Sequence, residues 1–434
     1  MRVALDLSGD RRSATRRDRE LHLGFHPRFA LAVGAHRNAL VHTRLLWSLL
    51  IAALALNAVY GGVAGVLVPA QIARADAANK DAVLAVVLTA SSLLTLVVHP
   101  LAGAMSDRTR SRWGRRAPWI LAGAGGSAAV MAALGQAESV WAVALGWIVL
   151  QPLLNVLEAP LDAVLADRVE PARRPRAAAF FGMGAAGGLA AGAAGAGQGV
   201  ANPQLVYLAL AGGLVVASIG FVIANPDRSI TGSIARIPAR EAWGSRNLRI
   251  VFAARFCLVL GHQLVMGYLL YIVMDTTGAS VDEAGRTASL VITLHIVSLI
   301  GGSVAGALWI RRRVPWVVAA SATLAASLLI PLAAPGVAGL VAFAVVGGAA
   351  RGVYLAADLA LMIDVLPSAG DSGRDLGVLG LATIVPQTLA PALAGLVLFL
   401  GSGSYGALFV VAAVSALAST AVIARVGSTP VRSP

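Results

Sequence analysis

The chain has 434 residues, of which 58% are hydrophobic and only 13% are charged. A soluble globular chain carries roughly 25% charged residues, so this much apolar surface needs lipid as part of its solvent. The net charge of +13 suggests nucleic-acid binding, but the Lys and Arg residues lie mostly in short stretches between apolar segments, without an extended basic face. The single cysteine, Cys257, excludes a disulfide framework within the chain.

The first 43 residues contain eight arginines and no early apolar run. A secretory signal peptide would place an apolar core of about 7–15 residues soon after a short basic start. We therefore predict a basic cytoplasmic tail over residues 1–43, which is disordered or lies on anionic lipid.

Twelve apolar runs follow the tail. A membrane span needs about 20 apolar residues, because a helical rise of about 1.5 Å per residue must cover roughly 30 Å of hydrocarbon. The predicted spans 1 to 12 are residues 44–71, 82–105, 118–136, 140–165, 177–198, 204–224, 247–273, 286–310, 315–334, 337–363, 376–400 and 403–424. The predicted fold class is an all-α polytopic membrane protein with twelve transmembrane helices.

The basic residues between the spans alternate from one side to the other. The loops after the even-numbered spans, which we call the arginine face, hold among others Arg108, Arg110, Arg112, Arg115, Arg116, Arg168, Arg173, Arg174, Arg176, Arg228, Arg236, Arg240, Arg246, Arg311, Arg312 and Arg313. The loops after the odd-numbered spans, which we call the far face, hold Arg74, Lys80 and Arg286. Because cytoplasmic loops carry the excess of Lys and Arg, this pattern predicts that both termini are cytoplasmic.

The chain repeats weakly between its first and second parts. Gly103-Ala104 and Gly306-Ala307 each end an apolar run and precede a basic loop with a Pro-Trp pair. Parallel repeats are one known transporter architecture. We predict two pseudo-symmetric six-helix halves over residues 44–224 and 247–424, a cytoplasmic linker over 225–246 and a cytoplasmic C-terminal tail over 425–434.

Polar side chains occur inside the predicted spans. A charge at mid-membrane costs at least about 2.5–3.5 kcal/mol and therefore usually faces a cavity or a partner. Span 4 holds Gln151, Asn155, Glu158 and Asp162, and their spacing places all four on one helical stripe. The stripe predicts a polar surface on span 4.

The second half offers a matching stripe. Arg351, Tyr354 and Asp358 in span 10 repeat the spacing found in span 4, and Arg255 and His262 share a face of span 7. The functional interpretation is a polar cavity between the halves, in which Glu158, Asp162 and Asp358 bind protons while the arginines balance charge or hold an anionic group. The alternative is buried ion pairing, for example of Arg351 with Glu158, that only joins helices.

A desolvated carboxylate gains proton affinity, and a nearby arginine lowers that affinity. The sequence hypothesis is that Glu158 or Asp162 couples transport to the proton gradient. His99, immediately before Pro100, is interpreted as structural, and the role of His295 in span 8 is left open.

Small residues recur at intervals of four. They are Gly184, Gly188 and Gly192 in span 5, and Gly302 and Gly306 in span 8. Such spacing lets helix backbones approach closely and predicts a tight contact of spans 5 and 8 across the halves. The alternative is that the chain is simply rich in Ala and Gly.

The segment between spans 2 and 3 carries a recognisable motif. It has Gly103, the pair Asp107-Arg108, and then Gly114 followed by Arg115-Arg116. This segment resembles the loop 2–3 signature of the major facilitator superfamily, in the longer form of the glycoside–pentoside–hexuronide symporters and sucrose carriers. The resemblance covers spans 1–12 and implies the major facilitator fold, with spans 1, 4, 7 and 10 lining a central cavity.

The resemblance also implies a gating latch, made of Gly103, Asp107, Arg108, Arg115, Arg116 and Asp167. By analogy Asp107 caps the positive N-terminus of span 11, and an arginine of the loop pairs with Asp167, which holds the cytoplasmic side shut. Sodium-coupled members have acidic residues in span 2, where this chain has none, so protons are favoured. Gly380 and Thr383 replace the asparagines of many relatives in span 11, and Trp147 and Tyr354 are the candidates for stacking on a sugar.

These features favour a secondary active transporter that moves a small organic solute, most readily a sugar or glycoside, by alternating access with protons as coupling ion. We expect a multi-pass monomer of the plasma membrane that needs no cofactor or metal, is not an enzyme and does not bind nucleic acid. The alternatives are proton-antiport efflux of a drug-like metabolite, a lipid carrier, and a membrane sensor that transports nothing. Reconstitution separates the sensor from a transporter, because a sensor shows no counterflow.

Overall fold

The computed structural model of the chain describes residues 27–226, 246–310, 313–365 and 372–425. The predicted N-terminal tail up to residue 26, the predicted linker from 227 to 245 and the predicted C-terminal tail beyond 425 lie outside these residues. A helix begins at Pro27, inside the predicted tail, and runs to Val59; proline suits this first helical position, since its missing N–H would have no helical partner there.

The described residues contain twelve helices that are long and apolar enough to cross a membrane. Spans 1 to 12 are Thr43–Ala75, Lys80–Arg108, Ala117–Leu134, Val140–Leu165, Arg174–Gln198, Pro203–Ala224, Arg246–Met266, Val281–Trp309, Arg313–Ala333, Val337–Asp358, Gly380–Leu400 and Tyr405–Ile423. The prediction of an all-α protein with twelve spans is confirmed. The side on which the termini lie stays a prediction.

Large apolar side chains cover the outside of the helices. Trp141, Leu308 and Phe399 are 83%, 74% and 82% exposed, although each lies in a span. Such exposure would be unfavourable in water and is expected where lipid is the solvent. The excess of apolar residues in the composition is therefore used on both the inner and the outer surfaces of the helices.

Span 1 is irregular near its middle, and the helix of span 7 is broken at its far-face end. Span 1 changes to a π-helix over Tyr60–Leu67, and span 7 is interrupted after Met266 before a helix resumes over Leu269–Thr277. The widened turn of span 1 contains Gly61 and Gly62, and a Cβ on either would collide with the backbone of span 5, at Leu189 or Gly192. Close approach of spans 1 and 5 therefore requires glycine at this irregularity.

The glycine stripes do not join spans 5 and 8. A Cβ on Gly184, Gly188 or Gly192 would meet backbone oxygens of span 1. A Cβ on Gly302 would meet the Ala349 oxygen in span 10. The predicted use of these glycines across the halves is therefore wrong: they bring helices of the same half together, because each stripe faces its neighbour within its own six-helix bundle.

The halves nevertheless touch, most extensively through two helix pairs. Span 2 packs along the helix of span 11, and span 5 packs along span 8. The second contact includes the Thr293 hydroxyl, which donates to the Ala190 carbonyl oxygen at 3.4 Å.

Candidate functional site

The predicted stripe on span 4 is satisfied mainly by spans 1 and 2. The Tyr60 hydroxyl of span 1 donates to Oε2 of Glu158 at 2.9 Å. Gln151 Nε2 and Asn155 Nδ2 both donate to Thr95 Oγ1 at 3.1 Å. Gln151 and Asn155 therefore join helices of the first half, and Asp162 has the most exposed side chain of the four stripe residues, at 44%.

Span 2 carries the partner stripe that sequence reasoning missed. Ser91, Thr95 and His99 recur every four residues and therefore share one face of the helix. Ser91 Oγ accepts from Trp147 Nε1 at 3.1 Å, and His99 Nδ1 lies 3.0 Å from Asn155 Oδ1. The recurrence of polar side chains every four residues is the sequence signal that identifies this face.

His99 also approaches Asp162. Its Nε2 atom lies 4.0 Å from Asp162 Oδ2, and the two side chains are 37% and 44% exposed. Both lie toward the arginine-face ends of their spans. An imidazole and a carboxylate thus share an accessible position within the first half.

The second half contains a buried ion pair. Arg255 of span 7 donates from Nη1 to Asp358 Oδ2 at 2.7 Å and from Nε to Thr383 Oγ1 at 2.8 Å. The Asp358 side chain is 1% exposed and that of Arg255 is 18% exposed. Three spans of this half, 7, 10 and 11, are therefore joined at one guanidinium.

Several polar atoms beside this pair are buried without a hydrogen-bond partner in the described part of the chain. They are Nη1 of Arg351, the hydroxyl of Tyr354, Oδ1 of Asp358 and Nδ1 of His295. Unsatisfied buried polar groups are costly and often mark a position that water or a ligand occupies. Span 10 therefore retains unused hydrogen-bonding capacity.

A histidine pair lies beside span 10. His262 Nε2 and His295 Nε2 are 2.9 Å apart, and both residues are buried. At this separation one nitrogen donates and the other accepts, so the pair shares at least one proton. The pair joins span 7 to span 8, a contact that the sequence did not predict because His295 lies outside the two predicted stripes.

The alternative of an ion pair between Arg351 and Glu158 is not what the described residues form. Glu158 bonds to Tyr60 within the first half, and Asp358 bonds to Arg255 within the second. Trp147 and Tyr354 are also fully buried in their own halves, so neither presents an open ring face to a sugar in this conformation. The carboxylates Glu158 and Asp358 of the two predicted stripes thus have their hydrogen-bond partners within their own bundles.

The residues of the predicted latch cluster at the arginine face. Arg116 Nη2 contacts Asp107 Oδ1 at 2.5 Å and Asp167 Oδ2 at 2.9 Å, and Arg115 Nη2 contacts Asp167 Oδ2 at 2.7 Å. Arg116 also donates to Ser106 Oγ at 2.5 Å. These contacts join the loop after span 2 to the end of span 4, both in the first half.

Two further residues of the predicted latch have simpler surroundings. Gly103 faces Ala159 of span 4, whose Cβ would lie 4.0 Å from a Cβ placed on the glycine. Arg108 is exposed at the end of its helix. The contact of Asp107 with the start of the span 11 helix stays a prediction, since residues 366–371 before that helix lie outside the described residues.

The far face carries a set of contacts between the halves that sequence reasoning missed. Lys80 Nζ lies 3.0 Å from Asp275 Oδ1, and Arg74 forms an ion pair with Asp282. The charges themselves were the signal, since Arg74 and Lys80 have acidic partners at the end of the helix Leu269–Thr277 and at the start of span 8. Opposite charges from the two halves therefore meet at this face.

Two tyrosines complete the far-face contacts. The Tyr405 hydroxyl donates to Asp81 Oδ1 at 2.6 Å, and the Tyr271 hydroxyl donates to the Pro69 carbonyl oxygen at 3.0 Å. Each bond runs from the second half to the first. Together with the two ion pairs, these bonds form what we call the far-face lock.

The sequence model of the Major Facilitator Superfamily matches residues 45–253. No protein of curated function matches the sequence significantly.

Solved structures share the fold. A bacterial homolog of the human lysosomal transporter Spinster, inward-facing and occupied, superimposes with a TM-score of 0.60 over 90% of this chain and 94% of that chain, at 13% identity. The inward-facing, unoccupied structure of a bacterial Spinster homolog gives a TM-score of 0.60 over 89% of this chain and 94% of that chain, at 12% identity. Residues 45–253 therefore match the Major Facilitator Superfamily in sequence, and the chain has the major facilitator fold, with the apolar spans of a multi-pass membrane protein.

Proposed function

We propose that the chain is a secondary active transporter of the plasma membrane that moves a small organic solute by alternating access and is coupled to protons. The protein acts as a monomer with both termini in the cytoplasm, and a sugar or glycoside is the first solute class to test. The proposal depends most on one observation, the far-face lock, in which opposite charges of the two halves are paired.

The far-face lock supports alternating access for a physical reason. Ion pairs at a surface contribute only about 0–1 kcal/mol each, so they can hold one face closed and still break during a transport cycle. Asp162 remains 44% exposed within its span while the far face is closed. This combination favours a conformation in which the polar site opens toward the arginine face.

Proton coupling is proposed at the carboxylates of span 4. Glu158 accepts a hydrogen bond from Tyr60, which lies where span 1 becomes π-helical. A change of protonation at Glu158 would alter this bond and thereby the packing of span 1 on span 4. The carboxylate is therefore placed to link a proton to the movement of a helix.

A test uses the full chain reconstituted in liposomes. A thermal-shift screen with sucrose, lactose and phenyl glucosides selects a solute, and counterflow and pH-driven uptake are then measured for it. We expect counterflow in the wild type and loss of the pH-driven component in Glu158→Gln or Asp162→Asn. Full coupling in both variants contradicts the proton proposal, and no counterflow with any solute contradicts transport.

The exposed carboxylate Glu170 provides a matched control. It lies outside the spans, and its contact is an ion pair with Arg173 at 3.6 Å. Glu170→Gln removes one carboxylate without touching span 4. We expect this variant to keep both counterflow and the pH-driven component.

A second candidate function is proton antiport of an organic cation. The observation that favours it is the exposed carboxylate of Asp162, together with the burial of Trp147 and Tyr354 away from any sugar. A proton and a cation would compete for the same carboxylate, which produces exchange. The same liposomes, tested with tetraphenylphosphonium and ethidium, distinguish the two: an outward proton flux driven by cation entry supports antiport.

A further inference from the structure

We propose that His99 and Asp162 together hold one exchangeable proton, and that this pair rather than Asp162 alone is the proton-binding site of the transport cycle. The sequence suggested a structural role for His99, so this inference changes its assignment. The role in the cycle rests on the proposed function, whereas the binding of the proton does not.

The Thr95 hydroxyl is oriented by a backbone carbonyl, whose oxygen can only accept hydrogen bonds. Thr95 Oγ1 lies 3.1 Å from the Ser91 carbonyl oxygen, so the Thr95 hydroxyl donates its proton there. The Thr95 oxygen is then an acceptor toward its other neighbours. It accepts from Asn155 Nδ2 at 3.1 Å.

A second carbonyl fixes the orientation of the Asn155 amide. Asn155 Nδ2 also donates to the Gln151 carbonyl oxygen at 2.7 Å. Because both neighbours on this side are acceptors, the NH₂ group must point at them, and Oδ1 must point at His99. The amide of Asn155 therefore has one permitted orientation.

The orientation of Asn155 in turn fixes the tautomer of His99. An amide oxygen accepts and cannot donate, so His99 Nδ1, which lies 3.0 Å from Asn155 Oδ1, carries a proton. In the neutral imidazole the other nitrogen, Nε2, then has a lone pair and no proton. The ring is thus held with its basic nitrogen in a known direction.

The basic nitrogen of His99 faces a carboxylate. Nε2 lies 4.0 Å from Asp162 Oδ2. With neutral His99 and ionised Asp162, a lone pair and a negative charge face each other and repel. One proton from water, bound at Nε2, changes this contact into an attraction between an imidazolium and a carboxylate.

The other charged groups near His99 do not oppose the binding of a proton at Nε2. Glu158 of span 4 lies between Asn155 and Asp162 and adds a negative charge that is bonded to Tyr60 of span 1. The Gly380–Leu400 span, which packs against span 2, contains no ionisable side chain. The arginine cluster around Asp107 lies two helical turns further, about 12 Å along span 2, where it is paired with acidic residues.

The proton is placed where it can affect transport. Span 2 contacts span 11 of the other half, and His99 lies on span 2, while Asp162 lies on span 4. Protonation draws the two side chains together, and loss of the proton lets them separate. The pair therefore responds to the proton by changing the contact of span 2 with span 4.

Nuclear magnetic resonance of ¹⁵N-histidine in the full chain, in nanodiscs, tests the inference without any solute. The His99 signals are assigned by their loss in His99→Gln. We expect the Nδ1–H tautomer in neutral His99, and a lower proton affinity of Nε2 in Asp162→Asn, because this variant removes the negative charge that faces the ring. Glu170→Gln should leave the signal unchanged.

Two results would overturn the inference. One is an Nε2–H tautomer in neutral His99, and the other is an unchanged proton affinity in Asp162→Asn. Asn155→Leu gives a second check, because removal of the acceptor should release the ring into a mixture of tautomers. A single Nδ1–H tautomer that persists in this variant contradicts the role given to Asn155.

Transport is scored separately. With a solute found by the screen, His99→Gln should lose the pH-driven component by at least tenfold and keep counterflow. Retention of pH-driven uptake in this variant refutes the coupling role of the pair. Absence of all flux in the wild type refutes the proposed function but leaves the shared proton, which the resonance measurement establishes or excludes independently.

Discussion

Arg255 Nη1 lies 2.7 Å from Asp358 Oδ2, and this contact joins span 7 to span 10 inside the second half. Spans 7 and 10 also contribute apolar residues, among them Leu258 and Ala357, to one buried cluster. A carboxylate that is 1% exposed and an arginine that is 18% exposed therefore depend on each other for charge compensation.

Removal of one partner should destabilise the protein more than removal of both. We expect Arg255→Gln to lower the free energy of unfolding by about 3–5 kcal/mol, because it leaves the Asp358 charge buried and unpaired. The double variant Arg255→Gln with Asp358→Asn should recover part of this loss. Thermal unfolding of detergent-purified protein measures both, and equal stability of Arg255→Gln and wild type would contradict the prediction.

The far-face lock predicts a shift in conformation when its charges are removed. We expect Lys80→Gln with Asp282→Asn to increase the population in which the far face is open, because two ion pairs between the halves are lost together. Double electron–electron resonance between labels at Glu138 and Thr277 should show a longer distance component. Cys257 is first replaced by serine so that only these two positions are labelled.

The third basic residue of the far face is the control for the lock. Arg286 Nε contacts the Asp282 carbonyl oxygen of its own helix at 3.4 Å. Arg286→Gln therefore changes the charge of the far face without breaking a contact described between the halves. A longer distance component in this variant, or none in the Lys80 and Asp282 variant, would count against the lock.

Alanine substitutions at two adjacent glycines of span 5 should have different effects on stability. A Cβ on Gly188 would overlap the Leu54 carbonyl oxygen of span 1, whereas a Cβ on Gly187 meets nothing within 4 Å. We expect Gly188→Ala to cost about 1–3 kcal/mol of stability, since the helices must separate, and Gly187→Ala to be neutral. Thermal unfolding of the two variants decides this, and equal effects would refute the packing.

The contacts of the predicted latch imply that the loss of Asp167 and the loss of Glu170 have different effects on stability. Asp167 contacts both Arg115 and Arg116, and its side chain is 12% exposed, whereas that of Glu170 is 68% exposed. We expect Asp167→Asn to cost about 3 kcal/mol, at the lower end for a broken buried pair because Arg116 keeps Asp107. Glu170→Gln should cost less than about 0.5 kcal/mol. Similar melting temperatures for the two variants would disprove the difference.

The sequence by itself determined the helices. The predicted spans 204–224 and 337–363 agree closely with the helices Pro203–Ala224 and Val337–Val365, because hydrocarbon thickness imposes length and apolar composition on any spanning helix. The breaks in spans 1 and 7 were not visible in the sequence. Glycines are common throughout the chain, and only the approach of a second backbone showed which of them the structure requires.

The polar residues were found by their spacing, but their partners were decided by the tertiary structure. Helical periodicity places Asn155 and Asp162 on one face of span 4 because a repeat of about 3.6 residues is a local property. Whether that face meets span 2, span 10 or water depends on how helices distant in sequence pack together. The bonds of Asn155 to Thr95 and His99, and of Asp358 to Arg255, are set by this packing. The sequence therefore identified the polar residues, and the packing of the helices determined which of them are in contact.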